Sequence, residues 1–199
     1  MDKWIHNVVT NNIRKGKIAE SDADIYEYGY SLMVDMIMIF VISVVIALLL
    51  DAVWEVLALC MTFIPLRVYS GGYHAKGRWG CMVMSGLFVT FGSVGIKLLP
   101  QQVDILTFLI IEVVCICAIS RFAPVGTLQK QITVSEEHHY KKKVIMIVGF
   151  ELLIGLLCFY FGVSIMIISI VLSNICNLIS VLGQIYCDIF KRIISAGLR

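Results

Sequence analysis

The chain has 199 residues, of which 59% are hydrophobic and only 15% charged, with a net charge of +2 and a mean hydropathy of +0.91. A soluble domain of this size carries about 25% charged residues, so the composition excludes one and predicts an integral membrane protein. A net charge this small gives no electrostatic footprint for nucleic acid; the placement of the positive charges says more than their sum.

In chain order, residues 1–30 come first. Trp4, Ile5, Val8, Val9 and Ile13 recur at helical spacing beside Lys3, Arg14, Lys15 and Lys17, which predicts an amphipathic helix lying on the membrane face. No apolar run ends in a small-residue cleavage site here, so no signal peptide is expected. Ser21 with Asp24 three residues on predicts a helix start of capping-box type. Apolar runs follow at about 31–50, 52–66, 80–99, 103–120, 144–161 and 163–187. At 1.5 Å per residue most approach the roughly 20 residues that span hydrocarbon. The second, about 15 residues long, is short for a full crossing. The expected architecture is an all-α membrane protein of about six transmembrane helices. It forms one domain over 1–199, with an interfacial segment at 1–30, a bundle at 31–187 and a tail at 188–199.

Loop charges predict the orientation. Arg67, Lys76 and Arg78 lie between the second and third runs, and Arg121, Lys130 and Lys141–Lys143 between the fourth and fifth. The tail carries Lys191, Arg192 and Arg199, whereas the alternate loops are nearly bare. The positive-inside rule then puts both termini and both basic loops in the cytoplasm, in a multi-pass protein of the cell membrane. The seven cysteines form an odd set, mostly within apolar runs, with no zinc-ribbon spacing, so neither a disulfide framework nor a metal or other cofactor is expected.

The stretch Arg67-Val68-Tyr69-Ser70-Gly71-Gly72-Tyr73-His74-Ala75, with Cys81 seven residues after the histidine, carries the chemistry. A thiol paired with an imidazole forms an activated nucleophile. On one straight helix the two would stand about 10 Å apart along the axis, so a dyad requires the Lys76–Gly80 segment to fold back. Gly77 and Gly80 permit that bend. Gly71-Gly72 suggests a tight turn or a close backbone approach, and Arg67 a donor for a carboxylate or an oxyanion. Spacing alone leaves a second reading open, in which Cys81 is merely packed and Arg67 and Lys76 are interfacial anchors. A zinc site from His74, Cys81, His138 and His139 competes but has no His-Glu-x-x-His or Cys-x-x-Cys pattern. Asp35, Glu55, Glu112 and Glu151, with Asn174 and Asn177, fall inside the apolar runs. They must face protein or water, either as a polar cavity or as helix-to-helix hydrogen bonds.

The pattern Arg-x-x-x-Gly-Gly-x-His-Ala, with the later cysteine, resembles the accessory gene regulator B (AgrB) family, membrane cysteine endopeptidases of Gram-positive bacteria that mature quorum-sensing peptides. Asp24-Ile25-Tyr26-Glu27-Tyr28-Gly29 before the first membrane run and Ala123-Pro124 after the fourth are similar to further family features. The segment Val125–Gln131 departs from the family's Asn-Lys-Pro-like turn, which bears on substrate contacts of that loop. The resemblance implies Cys81 as nucleophile, His74 as its base or orienter, and Arg67, Gly71 and Gly72 as supporting positions. Glu136, Glu137 or a backbone carbonyl are candidates for orienting His74. The implied partner is a short amphipathic precursor peptide of the AgrD kind, cleaved on the carboxyl side of the future signal and cyclised as a thiolactone or lactone. The implied setting is the lipid bilayer, where intramembrane polar residues also favour a homodimer. Two rival functions remain at this stage: release of a linear peptide, and a small transporter using the intramembrane acids.

Overall fold

The structure, a computed structural model, describes residues 2–72, 78–99, 102–125 and 134–197. Seven α-helices account for nearly all of them: α1 (Asp2–Arg14), α2 (Ala23–Leu49), α3 (Val53–Ser70), α4 (Arg78–Leu98), α5 (Ile105–Phe122), α6 (Val134–Phe161) and α7 (Ser164–Gly197). Helices α2 to α7 contain six stretches long and apolar enough to cross a membrane. The chain is an all-α, multi-pass integral membrane protein.

Bilayer physics explains why the helices look as they do. Backbone amides in hydrocarbon have no water to bond, so each segment must satisfy its own. Side chains such as Phe40, Leu48, Phe91 and Tyr160 project outward from the bundle, as lipid requires. Helix α3 is longer than its apolar run suggests: it continues through Pro65 and Arg67 to Ser70 and reaches 18 residues. A proline costs less in a membrane helix because neighbouring helices satisfy the freed backbone group. The segment is thereby a full spanning candidate.

Helix α7 is the axis of the bundle and packs against α3, α4, α5 and α6. Its buried face carries a polar stripe, Ser169, Ser173, Asn174, Asn177 and Gln184, beside the buried Ile167, Ile170 and Val181. Thr62 of α3 meets this stripe, with its hydroxyl 2.7 Å from Ser173 Oγ. Lipid tails are as apolar as leucine, so such hydrogen bonds and close packing hold membrane helices together where hydrophobic burial cannot. At one end Lys97 Nζ donates to the carbonyls of Leu50 (2.9 Å) and Asp51 (2.5 Å), tying α4 to the α2–α3 turn. Asp104 caps α5 by accepting from the Thr107 backbone N–H at 3.0 Å.

Two local expectations are corrected. No capping box starts α2: a short 3₁₀ turn over Glu20–Asp22 precedes it, Asp22 is the N-cap, and no side chain caps the helix. Ser21 instead donates to Asp22 Oδ1 at 3.1 Å. The amphipathic α1 does not turn its whole apolar face to lipid, because Ile5 and Val9 are buried and α1 packs against α2. His6 Nδ1 lies 2.6 Å from Glu27 Oε1 across that contact, and Trp4 stays exposed.

Candidate active site at the junction of α3 and α4

Helix α3 ends where Gly71 turns the chain. Gly71 has φ 70° and ψ −142°, and Gly72 has φ 113°, conformations that side chains with a Cβ rarely adopt. The space around them is also filled. A Cβ on Gly71 would collide with the backbone of Val125, and one on Gly72 with Arg67 Nη1 and Ser180 Oγ. Both glycines are required twice over, by backbone conformation and by close approach.

Arg67, one turn back on α3, clamps the turn. Its Nη1 donates to the Gly71 carbonyl at 2.6 Å and to Ser180 Oγ of α7 at 2.5 Å. From the other side, the Val125 backbone N–H donates to the Ser70 carbonyl at 3.0 Å, and Gly71 and Val125 form an isolated parallel bridge. The segment after α5, Ala123-Pro124-Val125, therefore lies alongside the Gly-Gly turn. The Ala123–Pro124 peptide bond is cis. Beneath it Leu66, Cys115, Ile119, Ala123, Val144 and Val148 form a buried cluster shared by α3, α5 and α6, with Tyr69 packed against it.

Cys81 is the fourth residue of α4 and partly buried. Its thiol hydrogen-bonds Ser85 one turn along, and two charges of opposite sign act on it, Asp35 from α2 and Arg67 from α3. One guanidinium thus organises the Gly-Gly turn and also reaches the sulfur electrostatically. Arg67 thereby links the Gly-Gly turn to the thiol electrostatically. The model of the family described as Accessory gene regulator B matches residues 2–186.

The chain belongs to the accessory gene regulator B family. That membership assigns it a role in the accessory gene regulator system. No curated protein and no solved structure matches at the level of significance applied. Within the family framework, the structure brings together Arg67, Gly71 and Gly72 and sets Cys81 in electrostatic reach of Arg67. His74 and the proposed fold-back over Lys76-Gly77 lie outside the described residues, while Gly80 is already helical. His138 and His139 are exposed near the start of α6. Among the described residues, no group of three or more His, Cys, Asp or Glu is placed to hold a metal ion. All seven cysteines are free thiols.

Sequence reasoning missed Ser180 and Val125. Ser180 stands 113 residues from Arg67 and looks like any small residue in an apolar run. The one available signal was its place in the polar periodicity of α7, between Asn177 and Gln184. Val125 was passed over as part of a departure from the family turn, yet its backbone buttresses Gly71. Of the intramembrane acids, Asp35 acts on Cys81, whereas Glu112 and Glu151 are buried elsewhere, beside Asn174.

Proposed function

We propose that this protein is a membrane cysteine endopeptidase that cuts a short, amphipathic, AgrD-like precursor and closes the released segment into a ring. The single observation that carries the reading is the position of Cys81. A partly buried thiol stands in the first turn of a membrane helix, and the arginine that holds the Gly-Gly turn acts on it electrostatically. Family membership supports the substrate class.

In this mechanism His74 takes the Cys81 proton, and the thiolate attacks the carbonyl carbon of the peptide bond on the carboxyl side of the signal. The C–N bond breaks, the tail's amine leaves with the proton from His74, and an acyl-thioester remains on Cys81. A thiol or hydroxyl within the bound peptide then attacks the thioester. Its proton passes to the leaving Cys81 sulfur and the ring closes, as thiolactone or lactone. Hydrolysis competes with this step, so a site that excludes water favours the ring. Arg67 serves as a scaffold: its Nη1 is committed to Gly71 and Ser180, which favours support of the turn over direct contact with an oxyanion. With both termini cytoplasmic by the loop charges, the site faces the compartment in which a precursor is synthesised.

The test supplies a synthetic precursor to the protein in nanodiscs and weighs the products. A ring is one water lighter than the linear acid, and Cys81→Ala abolishes both. A linear product alone from the unsubstituted protein contradicts the cyclisation step. Continued cleavage by Cys81→Ala contradicts the nucleophile.

A further inference from the structure

Away from the motif, three helices meet around a polar cluster. Glu112 of α5 and Asn174 of α7 are fully buried and Glu151 of α6 is 5% exposed. Asn174 Nδ2 donates to Glu112 Oε2 at 2.9 Å, and the Glu151 carboxyl reaches the same amide. All three stand near the middle of their membrane-spanning segments.

Hydrogen-bond bookkeeping shows what the cluster lacks. An asparagine amide offers two N–H donors, and an ionised carboxylate accepts only. The amide's donors go to the carboxyls, and three buried oxygens have no hydrogen-bond partner: Glu112 Oε1, Glu151 Oε2 and Asn174 Oδ1. Asn177 lies one turn further along α7 but spends its own Nδ2 on the Ser173 carbonyl at 3.0 Å. Among the described residues, no cation stands at this depth on the helices packed here. Arg121 stands at the end of α5, Lys141–Lys143 lie two turns into α6 ahead of its apolar run, and Lys191 and Arg192 lie beyond the spanning part of α7. Helix α3, packed against α6 and α7, carries Glu55 in its first turn and Arg67 in its last. The buried Cys115 thiol is a further titratable group within electrostatic reach of Glu112. Two like charges on one amide, without a cation, are costly in hydrocarbon. A proton between the carboxyls removes one charge and supplies the missing donor.

We propose that Glu112 and Glu151 share a proton, forming a proton-binding site at mid-membrane depth that holds α5, α6 and α7 together. The ligand is a proton rather than a divalent metal ion, because the set offers only two carboxylates and amide oxygen. This inference is independent of the peptidase reading.

Two measurements on the protein in nanodiscs test it. Dicyclohexylcarbodiimide reacts with protonated carboxyls in apolar surroundings; the expected result is a mass adduct on Glu112 or Glu151 that E112Q/E151Q lacks. Replacing choline chloride by sodium or potassium chloride at equal ionic strength leaves the labelling unchanged. The infrared spectrum shows a protonated-carboxyl carbonyl band that the double variant loses. Either the adduct or the band supports the site. Absence of both overturns it, as does protection from labelling specific to sodium or potassium, which would make the occupant a metal ion.

Discussion

Arg67 Nη1 donates to Ser180 Oγ at 2.5 Å, joining the last turn of α3 to α7 directly behind the Gly-Gly turn. A hydrogen bond to a charged group contributes about 1.5–3 kcal/mol. Ser180→Ala is therefore expected to lower the rate of precursor cleavage roughly tenfold or more, although Ser180 lies outside the Arg67–Ala75 motif. Turnover kinetics on the synthetic precursor check this, and an unchanged rate would show that Arg67 holds the turn without α7.

Glycine substitutions separate the turn from the rest of the bundle. Gly71→Ala and Gly72→Ala each set a Cβ against occupied space at positive φ, and are expected to cost about 1–3 kcal/mol. Gly149 of α6 has nothing within 4 Å of an added Cβ, so Gly149→Ala leaves the melting temperature unchanged or slightly higher. Thermal melts in nanodiscs distinguish the three.

Two charges of opposite sign, Asp35 and Arg67, act on the Cys81 sulfur, which makes its reactivity adjustable in both directions. Asp35→Asn is expected to speed alkylation of Cys81, and Arg67→Gln to slow it, each by no more than about tenfold, which is roughly 1.4 kcal/mol. Alkylation mapped to Cys81 by mass spectrometry at fixed pH reads both rates. Slower alkylation of Asp35→Asn would contradict this placement of Asp35.

Much of this fold was legible because hydrocarbon imposes a length on any helix that crosses it. Runs such as 103–120 and 144–161 stand out by hydropathy alone, and α5 and α6 lie over them. The ends of helices were harder. The run at 52–66 stopped short because Arg67 breaks the apolar pattern, yet tertiary packing carries α3 to Ser70. Ser21 looked like an N-cap, but the 3₁₀ turn moves the helix start by a residue or two. At the site, Arg67, Gly71, Gly72 and Cys81 announce themselves by residue type and spacing. Ser180 and Val125 do not, because their part depends on which helix and which loop fold against the turn, and no local pattern encodes that.

The polar stripe of α7 offers a test of what holds the bundle. Thr62 and Ser173 form a buried hydroxyl pair at 2.7 Å. A double-mutant cycle of Thr62→Val and Ser173→Ala is expected to give a coupling of about 0.6 kcal/mol, the average for such pairs in membranes. A coupling indistinguishable from zero would assign the α3–α7 contact to packing alone.

The central claim is that Cys81 forms a covalent acyl-thioester with the amino-terminal part of the precursor. The most direct measurement is the mass of the Cys81-containing peptide after the protein in nanodiscs is mixed with precursor and quenched in acid. The account predicts an adduct equal to the released segment less one water, removed by hydroxylamine and absent from Cys81→Ala. Precursor cleaved at the normal rate by Cys81→Ala, with no adduct on Cys81 in the unsubstituted protein, would contradict it.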